Sequence, residues 1–96
     1  MSYSLEITQD AHVEVDLAYK YYEGIRAGLG DDFIMSLVSQ YGKVSLNPLI
    51  YSYIGRSELL RDVKIGRFPY VIVYMVVAEK VVVLSVRSTY RKPFIP

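Results

Sequence analysis

The sequence predicts an α+β fold in which an N-terminal strand and an antiparallel helix hairpin pack on a mainly antiparallel sheet of about four strands. Three observations predict it: an alternating segment at the start, two segments of helical periodicity separated by glycines, and a valine-rich second half typical of strands. The chain has 96 residues, of which 52% are hydrophobic. This is enough for one core, so we expect a single domain spanning residues 1–96.

The first strand and the first helix follow each other directly. Residues 2–8 alternate between apolar and polar side chains, as a half-buried strand does. From Asp10 onward the period changes to four, which predicts a helix with Thr8 or Asp10 as its N-cap. The residues that recur at this spacing and form the predicted apolar stripe are Val13, Leu17, Tyr21 and Ile25. We expect Tyr21 to lie in the core or at its boundary.

A second helix is predicted after a glycine turn. Gly28 and Gly30 are expected to supply the positive φ that ends one helix and lets the chain reverse. Asp31 and Asp32 then begin a helix that we expect to end at Gly42. Its predicted apolar face contains Phe33, Ile34, Leu37, Val38 and Tyr41.

The second half of the chain reads as β structure. Residues 46–57 are predicted to be mostly loop, followed by strands at 59–65, 70–77 and 81–87 in antiparallel order. Residues 71–77 and 81–84 are almost unbroken apolar runs, which is typical of central strands covered on both faces. The helix hairpin is expected to cover one face, and the other is available to a partner.

Composition excludes several classes of function. The chain has no cysteine, which excludes disulfides, thiolate metal sites and cysteine nucleophiles and fits a reducing cytoplasm. His12 is the single histidine, so no second histidine or cysteine can complete a metal site with it, and we expect it at the surface. No apolar stretch approaches the roughly 20 residues of a membrane helix. We therefore predict a cytoplasmic protein with no membrane segment, metal or cofactor.

The two halves of the chain carry opposite charge. Residues 1–55 contain three basic and seven acidic residues, whereas residues 56–96 contain eight basic and three acidic ones. Clustered cations attract nucleic acids and acidic proteins. The basic residues predicted to form a binding patch for a macromolecular partner are Arg61, Lys64, Arg67, Arg87, Arg91 and Lys92.

Two other interpretations of this patch stay open. Metal-free phosphoryl transfer needs cations that stabilise negative charge on phosphate and a group that moves a proton. An RNase would use Arg61, Lys64, Arg87 and Tyr90 in this way. Alternatively, the basic side chains only keep the sheet hydrated. Tyr51, Tyr53 and Tyr90 lie in predicted loops, where they are placed to contact a partner.

The order of strand, helix hairpin and three-stranded meander resembles the RelE/ParE superfamily of bacterial toxins, and more closely its ParE-like branch. Five segments carry the resemblance: the first-helix sequence DLAYKYYE at 16–23, GLGDDF at 28–33, NPLIY at 47–51, RFPYVIVY at 67–74, and the last strand at 81–86 followed by Arg91-Lys92-Pro93. Together with the first strand they span about residues 3–93.

The resemblance implies a growth-inhibiting toxin of a type II toxin–antitoxin system, of the kind linked to plasmid stabilisation. Its implied partner is a cognate antitoxin whose C-terminal segment covers the helix hairpin and the open sheet face, within a homodimer or a toxin–antitoxin hetero-oligomer. ParE-like members inhibit DNA gyrase by binding it. RelE-like members instead cut messenger RNA in the ribosome, and an inactive toxin-like interaction module is a third possibility.

Particular positions depart from both family patterns. RelE-like members usually carry an arginine after the tyrosine that starts the third strand, where this chain has Val71. Their lysine cluster is reduced to Lys64, with Asp62 at the other position. Ser88 stands where many ParE-like members have a histidine. The first two departures favour gyrase inhibition over RNA cleavage.

Overall fold

The structure is a computed structural model that describes residues 2–90. Its elements in chain order are β1 (Ser4–Ile7), α1 (Gln9–Ile25), α2 (Leu29–Leu46), a short 3₁₀ turn (Pro48–Ile50), β2 (Leu60–Lys64), β3 (Tyr70–Val77) and β4 (Lys80–Ser88). The strands form one sheet in the order β1-β4-β3-β2. The predicted α+β fold is confirmed. None of the helices within residues 2–90 is long and apolar enough to cross a membrane.

The sheet combines one parallel and two antiparallel pairings. β2 pairs with β3 and β3 with β4 in antiparallel fashion, while β1 adds in parallel to the first half of β4. Ala78 adopts a positive φ of 55° in the tight turn between β3 and β4. Because β1 pairs only with residues 80–83, the second half of β4 faces α1 at the edge of the sheet.

Thr8 begins α1 and also joins it to the sheet. Its Oγ1 accepts a hydrogen bond from Ala11 N at 3.3 Å and donates one to Leu84 O at 3.3 Å. The predicted N-cap is therefore confirmed.

The apolar stripe predicted for α1 is not the buried face of the helix. Its four residues are 48–63% exposed, and α1 instead buries Ala11, Ala18 and Tyr22. The small side chains of the two alanines let α1 lie close to the sheet, which periodicity alone did not reveal. Tyr21 was accordingly wrongly placed in the core.

The turn between the helices depends on Glu23. Gly28 has the expected positive φ of 90°, but Gly30 lies inside α2. The Glu23 carboxylate accepts hydrogen bonds from Gly28 N at 3.0 Å and Gly30 N at 3.0 Å. Gly30 does not have a positive φ, so that prediction is wrong. A Cβ at Gly30 would lie 2.8 Å from Tyr19 O, and the glycine therefore permits close contact between the two helices.

α2 passes through Gly42 and ends at Leu46, so the predicted stop is wrong. Beyond the glycine, Val44 is completely buried, and the Ser45 hydroxyl donates a hydrogen bond to Tyr3 O. These contacts with the core and the N-terminal segment offset the low helix propensity of one glycine, which costs about 1 kcal/mol relative to alanine.

The core lies between the helix hairpin and one face of the sheet. Tyr22, Phe33, Phe68 and Tyr70 form a cluster of aromatic rings, in which Tyr22 and Phe68 have centroids 4.9 Å apart. The strand residues of the same core are Ile72, Tyr74, Val81, Val83 and Val86. The helices and this core cluster occupy one side of the sheet, while Leu60, Val73 and Val82, which are also buried, lie on the opposite side.

Candidate functional site

Two of the predicted basic residues share a row on the sheet face opposite the helices. Lys64 pairs with Val71, and Val71 pairs with Arg87. Side chains of directly paired residues point to the same side of a sheet. Lys64, Val71 and Arg87 therefore form one row, which we call the open-face row, on the side away from the core residue Ile72.

Arg61 lies on the other side of the sheet. It pairs with Tyr74, whose ring is in the core beneath the helices. Its guanidinium donates to Tyr51 O at 2.6 Å and Leu49 O at 3.3 Å, and it stacks 3.9 Å from the centroid of Tyr53. Arg61 therefore fastens the loop after α2 to the sheet and is not part of the open-face row.

Arg67 is directed toward the start of α2. Its guanidinium lies 3.2 Å from the carboxylate of Asp32, which also lies 3.7 Å from Arg26. The structure thus does not bring Arg67 together with Lys64 and Arg87. Arg91 and Lys92, which are also predicted binding residues, lie outside the described residues.

Asp62 is the charged neighbour of the open-face row. It pairs with Val73, which is only 1% exposed, one step along the same face from Lys64. Burial raises the pKa of the Asp62 carboxyl above its usual value of 3.8. The open face therefore combines a cation at each end of the row with a carboxylate that is costly to keep charged, around partly exposed Val71 and Met75.

Tyr90 lies on the helix side, away from the open-face row. It is 87% exposed and lines a cavity together with Tyr21, Ile25 and Tyr70. In an RNase it would have to reach the phosphate held by Lys64 and Arg87. The described residues do not bring these groups together as a catalytic set.

The same cavity continues as a groove between α1 and the edge of β4. Two further cavities follow α1 toward its start, and their lining residues are Asp10, Val13, Glu14, Leu17, Ala18, Tyr21, Tyr70, Leu84, Ser85, Val86, Arg87 and Ser88. We call this surface the α1 groove. The exposed stripe of α1 forms its helical wall, so the stripe that sequence periodicity assigned to the core belongs to a surface.

Glu14 occupies the floor of the α1 groove. Its carboxylate accepts hydrogen bonds from Ser85 Oγ at 2.8 Å and from Val86 N at 3.0 Å. The second bond satisfies a backbone donor on β4 beyond the end of β1, where an additional strand would otherwise pair. No sequence motif announces this contact, because its partners are about seventy residues apart.

Nothing in the described part of the chain resembles a metal site. No group of three histidine, cysteine, aspartate or glutamate side chains is placed to hold an ion within residues 2–90. His12 is exposed, as predicted. The polar and apolar features described on this surface are cations, one carboxyl with a raised pKa and an apolar groove.

Comparison with known proteins identifies the fold. No protein-family model matches the chain, and no curated protein matches its sequence. A solved structure described as the chromosomal ParDE TA system from P. aeruginosa is similar, with a TM-score of 0.80 over 91% of this chain and 96% of that chain. Sequence identity is 16%, so the likeness shows the fold alone. The chain therefore shares the fold of that ParDE structure.

Proposed function

We propose that this chain is a ParE-like toxin of a type II toxin–antitoxin system, which inhibits DNA gyrase by binding and is neutralised by a cognate antitoxin in the cytoplasm. The fold shared with a ParDE structure supports this assignment. The open-face row is the observation that favours binding over RNA cleavage. Its centre is Val71, and its neighbour is Asp62.

RNA cleavage would need several cations around one phosphate, because negative charge builds up on its oxygens in the transition state. Here Lys64 and Arg87 are separated by an uncharged side chain, and Arg61 is bound to carbonyl groups on the other side of the sheet. The half-buried carboxyl of Asp62, when it is charged, would repel phosphate. This arrangement suits a protein surface better than a reacting phosphodiester.

The α1 groove is the proposed site for the antitoxin. It offers a row of apolar side chains one helical turn apart, which matches an amphipathic segment laid along it. Groups of opposite charge, Asp10 and Arg87, lie near one end of the groove. An antitoxin bound here would contact Arg87, which lines the groove, and would leave Lys64 and Val71 of the open-face row uncovered.

A supercoiling assay with purified gyrase tests the proposed target. We expect the wild-type chain to inhibit supercoiling at micromolar concentration and Lys64→Ala to weaken inhibition at least about tenfold, as loss of a contact worth about 1.4 kcal/mol does. The control is Lys20→Ala, which removes a cation of α1 that pairs with Asp16 at the exposed surface. Growth inhibition by a chain that leaves gyrase unaffected would refute the proposal.

Two further measurements separate the rival functions. Primer extension on cellular messages after induction is expected to show no codon-positioned cuts, and such cuts would identify an mRNA endonuclease. Expression without the antitoxin is expected to stop growth, whereas normal growth would identify an inactive interaction module.

The antitoxin site is tested by co-purification with the product of the neighbouring gene. Leu17→Glu places a charge in the middle of the α1 groove and should weaken the complex by about 30-fold or more, as loss of an interface anchor worth 2 kcal/mol does. Lys20→Glu puts a glutamate on the same helix outside the groove and should leave affinity nearly unchanged. Equal effects of the two substitutions would remove the α1 groove as the binding site.

A further inference from the structure

An aromatic cavity lies at the end of the α1 groove, beside the last turn of α1. Its volume is about 400 Å³, and the residues that form most of its lining are Tyr21, Tyr22, Ile25, Pro69, Tyr70 and Tyr90. The rings of Tyr21 and Tyr22 meet edge to face with centroids 5.2 Å apart. Tyr21 and Ile25 are 63 and 59% exposed, so part of the apolar wall is open to solvent. We call this surface the tyrosine cavity.

Walls of this kind suit a particular class of ligand. Grooves between aromatic rings take extended segments that contain proline, because such a segment is already ordered as a polyproline II helix before it binds. A polyproline II helix has no internal hydrogen bonds, so its carbonyl groups can accept from tyrosine hydroxyl groups at the rim. The tyrosine cavity therefore fits a short extended segment with prolines and apolar side chains.

The described residues end beside this cavity. Thr89 N donates a hydrogen bond to Pro69 O at 2.8 Å, and Tyr90 N donates one to Ser88 Oγ at 3.2 Å. These bonds hold the end of β4 against Pro69, which lines the cavity, and Tyr90 lines it as well. The segment that follows Tyr90 therefore starts at the rim of the tyrosine cavity.

The six residues after Tyr90 have the composition that the cavity fits. Residues 91–96 read Arg-Lys-Pro-Phe-Ile-Pro, with a proline on each side of an apolar pair. In a polyproline II conformation six residues extend about 19 Å, which is long enough to turn back across the cavity. With three residues per turn, Pro93 and Pro96 lie on one side of such a helix and can meet the same aromatic wall.

The charges at the end of α1 favour the same segment. The last turn of α1 contains no basic side chain, and Arg26, directly after it, lies 3.7 Å from the carboxylate of Asp32 on α2. The C-terminal end of a helix carries partial negative charge and is stabilised by nearby cations. Because the tyrosine cavity includes Ile25, the last residue of α1, docking of the segment would bring Arg91 and Lys92 to this end.

We propose that residues 91–96 dock in the tyrosine cavity of the same copy, with Phe94 between Tyr21 and Ile25 and the two basic residues at the end of α1. The docking does not rest on the proposed function, since it uses only this cavity and the sequence of the segment. One consequence does rest on it: because the cavity is the end of the α1 groove, the docked segment has to leave before an antitoxin occupies the whole groove.

Fluorine NMR of the full chain labelled with 4-fluorophenylalanine tests the docking. The chain has three phenylalanines, and the Phe94 resonance is the one that Phe94→Leu removes. In the wild type we expect it away from its position in the urea-unfolded chain, since tyrosine rings surround it. Tyr21→Ala should shift it at least halfway to that unfolded position. Val13→Ala is the matched control, because Val13 is an exposed apolar residue of α1 about two turns from Tyr21, and it should leave the resonance unchanged.

A disulfide trap locates the segment without removing a wall of the cavity. The chain has no native cysteine, so Ile25→Cys combined with Ile95→Cys introduces two thiols per copy. Disulfides form when the two Cα atoms approach within about 7 Å. We expect mild oxidation to close this pair within a monomer, whereas Val13→Cys combined with Ile95→Cys should stay reduced under the same conditions.

Three results would overturn the proposal. One is a wild-type Phe94 resonance at its unfolded position, and another is an equal shift of that resonance by Tyr21→Ala and Val13→Ala. The third is a disulfide between Cys replacements at 25 and 95 that joins two copies, which would place the segment in the cavity of a neighbour. Tyr21 and Val13 are both exposed, so unchanged thermal unfolding temperatures are expected for the two alanine variants.

Discussion

Arg61 and Lys64 belong to the same strand and carry the same charge, yet they lie in opposite environments. Arg61 faces the helix side, where its guanidinium binds two backbone carbonyls and a tyrosine ring. Lys64 faces the other side, where its ammonium contacts only Gly66 O at the strand end among the contacts described. The two positions are three residues apart, and because successive side chains of a strand point to opposite faces, this odd separation places one cation on each side of the sheet.

The two sides of the sheet differ in the same way. On the helix side, polar atoms of Arg61 and Tyr74 are tied to the loop after α2, so their loss should lower stability. On the open face, Asp62 and Lys64 carry charge that the fold does not need. Basic residues of similar sequence context thus divide into those that hold the protein together and those that are available for a partner.

The largest expected effect comes from Arg61. Arg61→Ala removes two charge-assisted hydrogen bonds and the stacking on Tyr53, so we expect a loss of about 2 kcal/mol of unfolding free energy. Lys64→Ala should change it by less than about 0.5 kcal/mol. Urea unfolding of both variants measures the difference, and equal losses would break the distinction between the two sides.

A smaller effect is expected from Tyr74. Its hydroxyl donates to Pro48 O at 2.7 Å in a completely buried position, and burial raises its pKa to about 12. Tyr74→Phe leaves the Pro48 carbonyl without this donor and should cost about 1 to 2 kcal/mol. Tyr90→Phe is the control, because the Tyr90 side chain is exposed, and a similar loss in both variants would contradict the assignment.

The smallest effect concerns Asp62 and depends on pH. Its pKa is raised by burial in the folded state, so between the unfolded and folded values the folded chain binds more protons. The protonated form of Asp62 is therefore compatible with the fold and the charged form lowers the unfolding free energy, so stability is gained as pH falls through the folded-state pKa and lost as pH rises through it. Asp62→Asn should therefore be slightly more stable than wild type at pH 7, with the gain shrinking toward pH 3.

Urea unfolding of wild type and Asp62→Asn across this pH range measures that dependence. Glu58→Gln, at an exposed position close by, serves as the control and should show no such trend. If Asp62→Asn instead lowers the unfolding free energy at pH 7, the charged carboxylate stabilises the wild-type chain. Such a result would contradict the expectation that burial disfavours this charge.

Much of the fold was predictable from local patterns. Alternation in residues 2–8, the positive φ of Gly28 and the valine-rich strands predicted at 70–77 and 81–87 are properties of short segments, and the structure confirms them. The end of α2 was not predictable in this way. Burial of Val44 in the common core and the hydrogen bond from Ser45 to Tyr3 decide it, and that hydrogen bond joins residues 42 positions apart.

The candidate site was less predictable than the fold. Sequence grouped Lys64 and Arg87 with Arg61 and Arg67, whereas the structure places the first two in the open-face row, ties Arg61 to backbone carbonyls and pairs Arg67 with Asp32. Periodicity also found the stripe of α1 and assigned it to the core. Apolar spacing shows that a helix has an apolar face, but it does not say whether that face meets the sheet or a groove at its edge.

The sequence by itself determined the element types, the charge asymmetry and the absence of cysteine chemistry, because these depend on residue identity and on short-range periodicity. Only the tertiary structure decided which face of α1 is buried, where α2 ends and which cations share a surface. Those outcomes depend on strand register and on contacts between residues far apart in the chain, such as Glu14 with Val86. Such contacts form only when the whole sheet and the helix hairpin pack together.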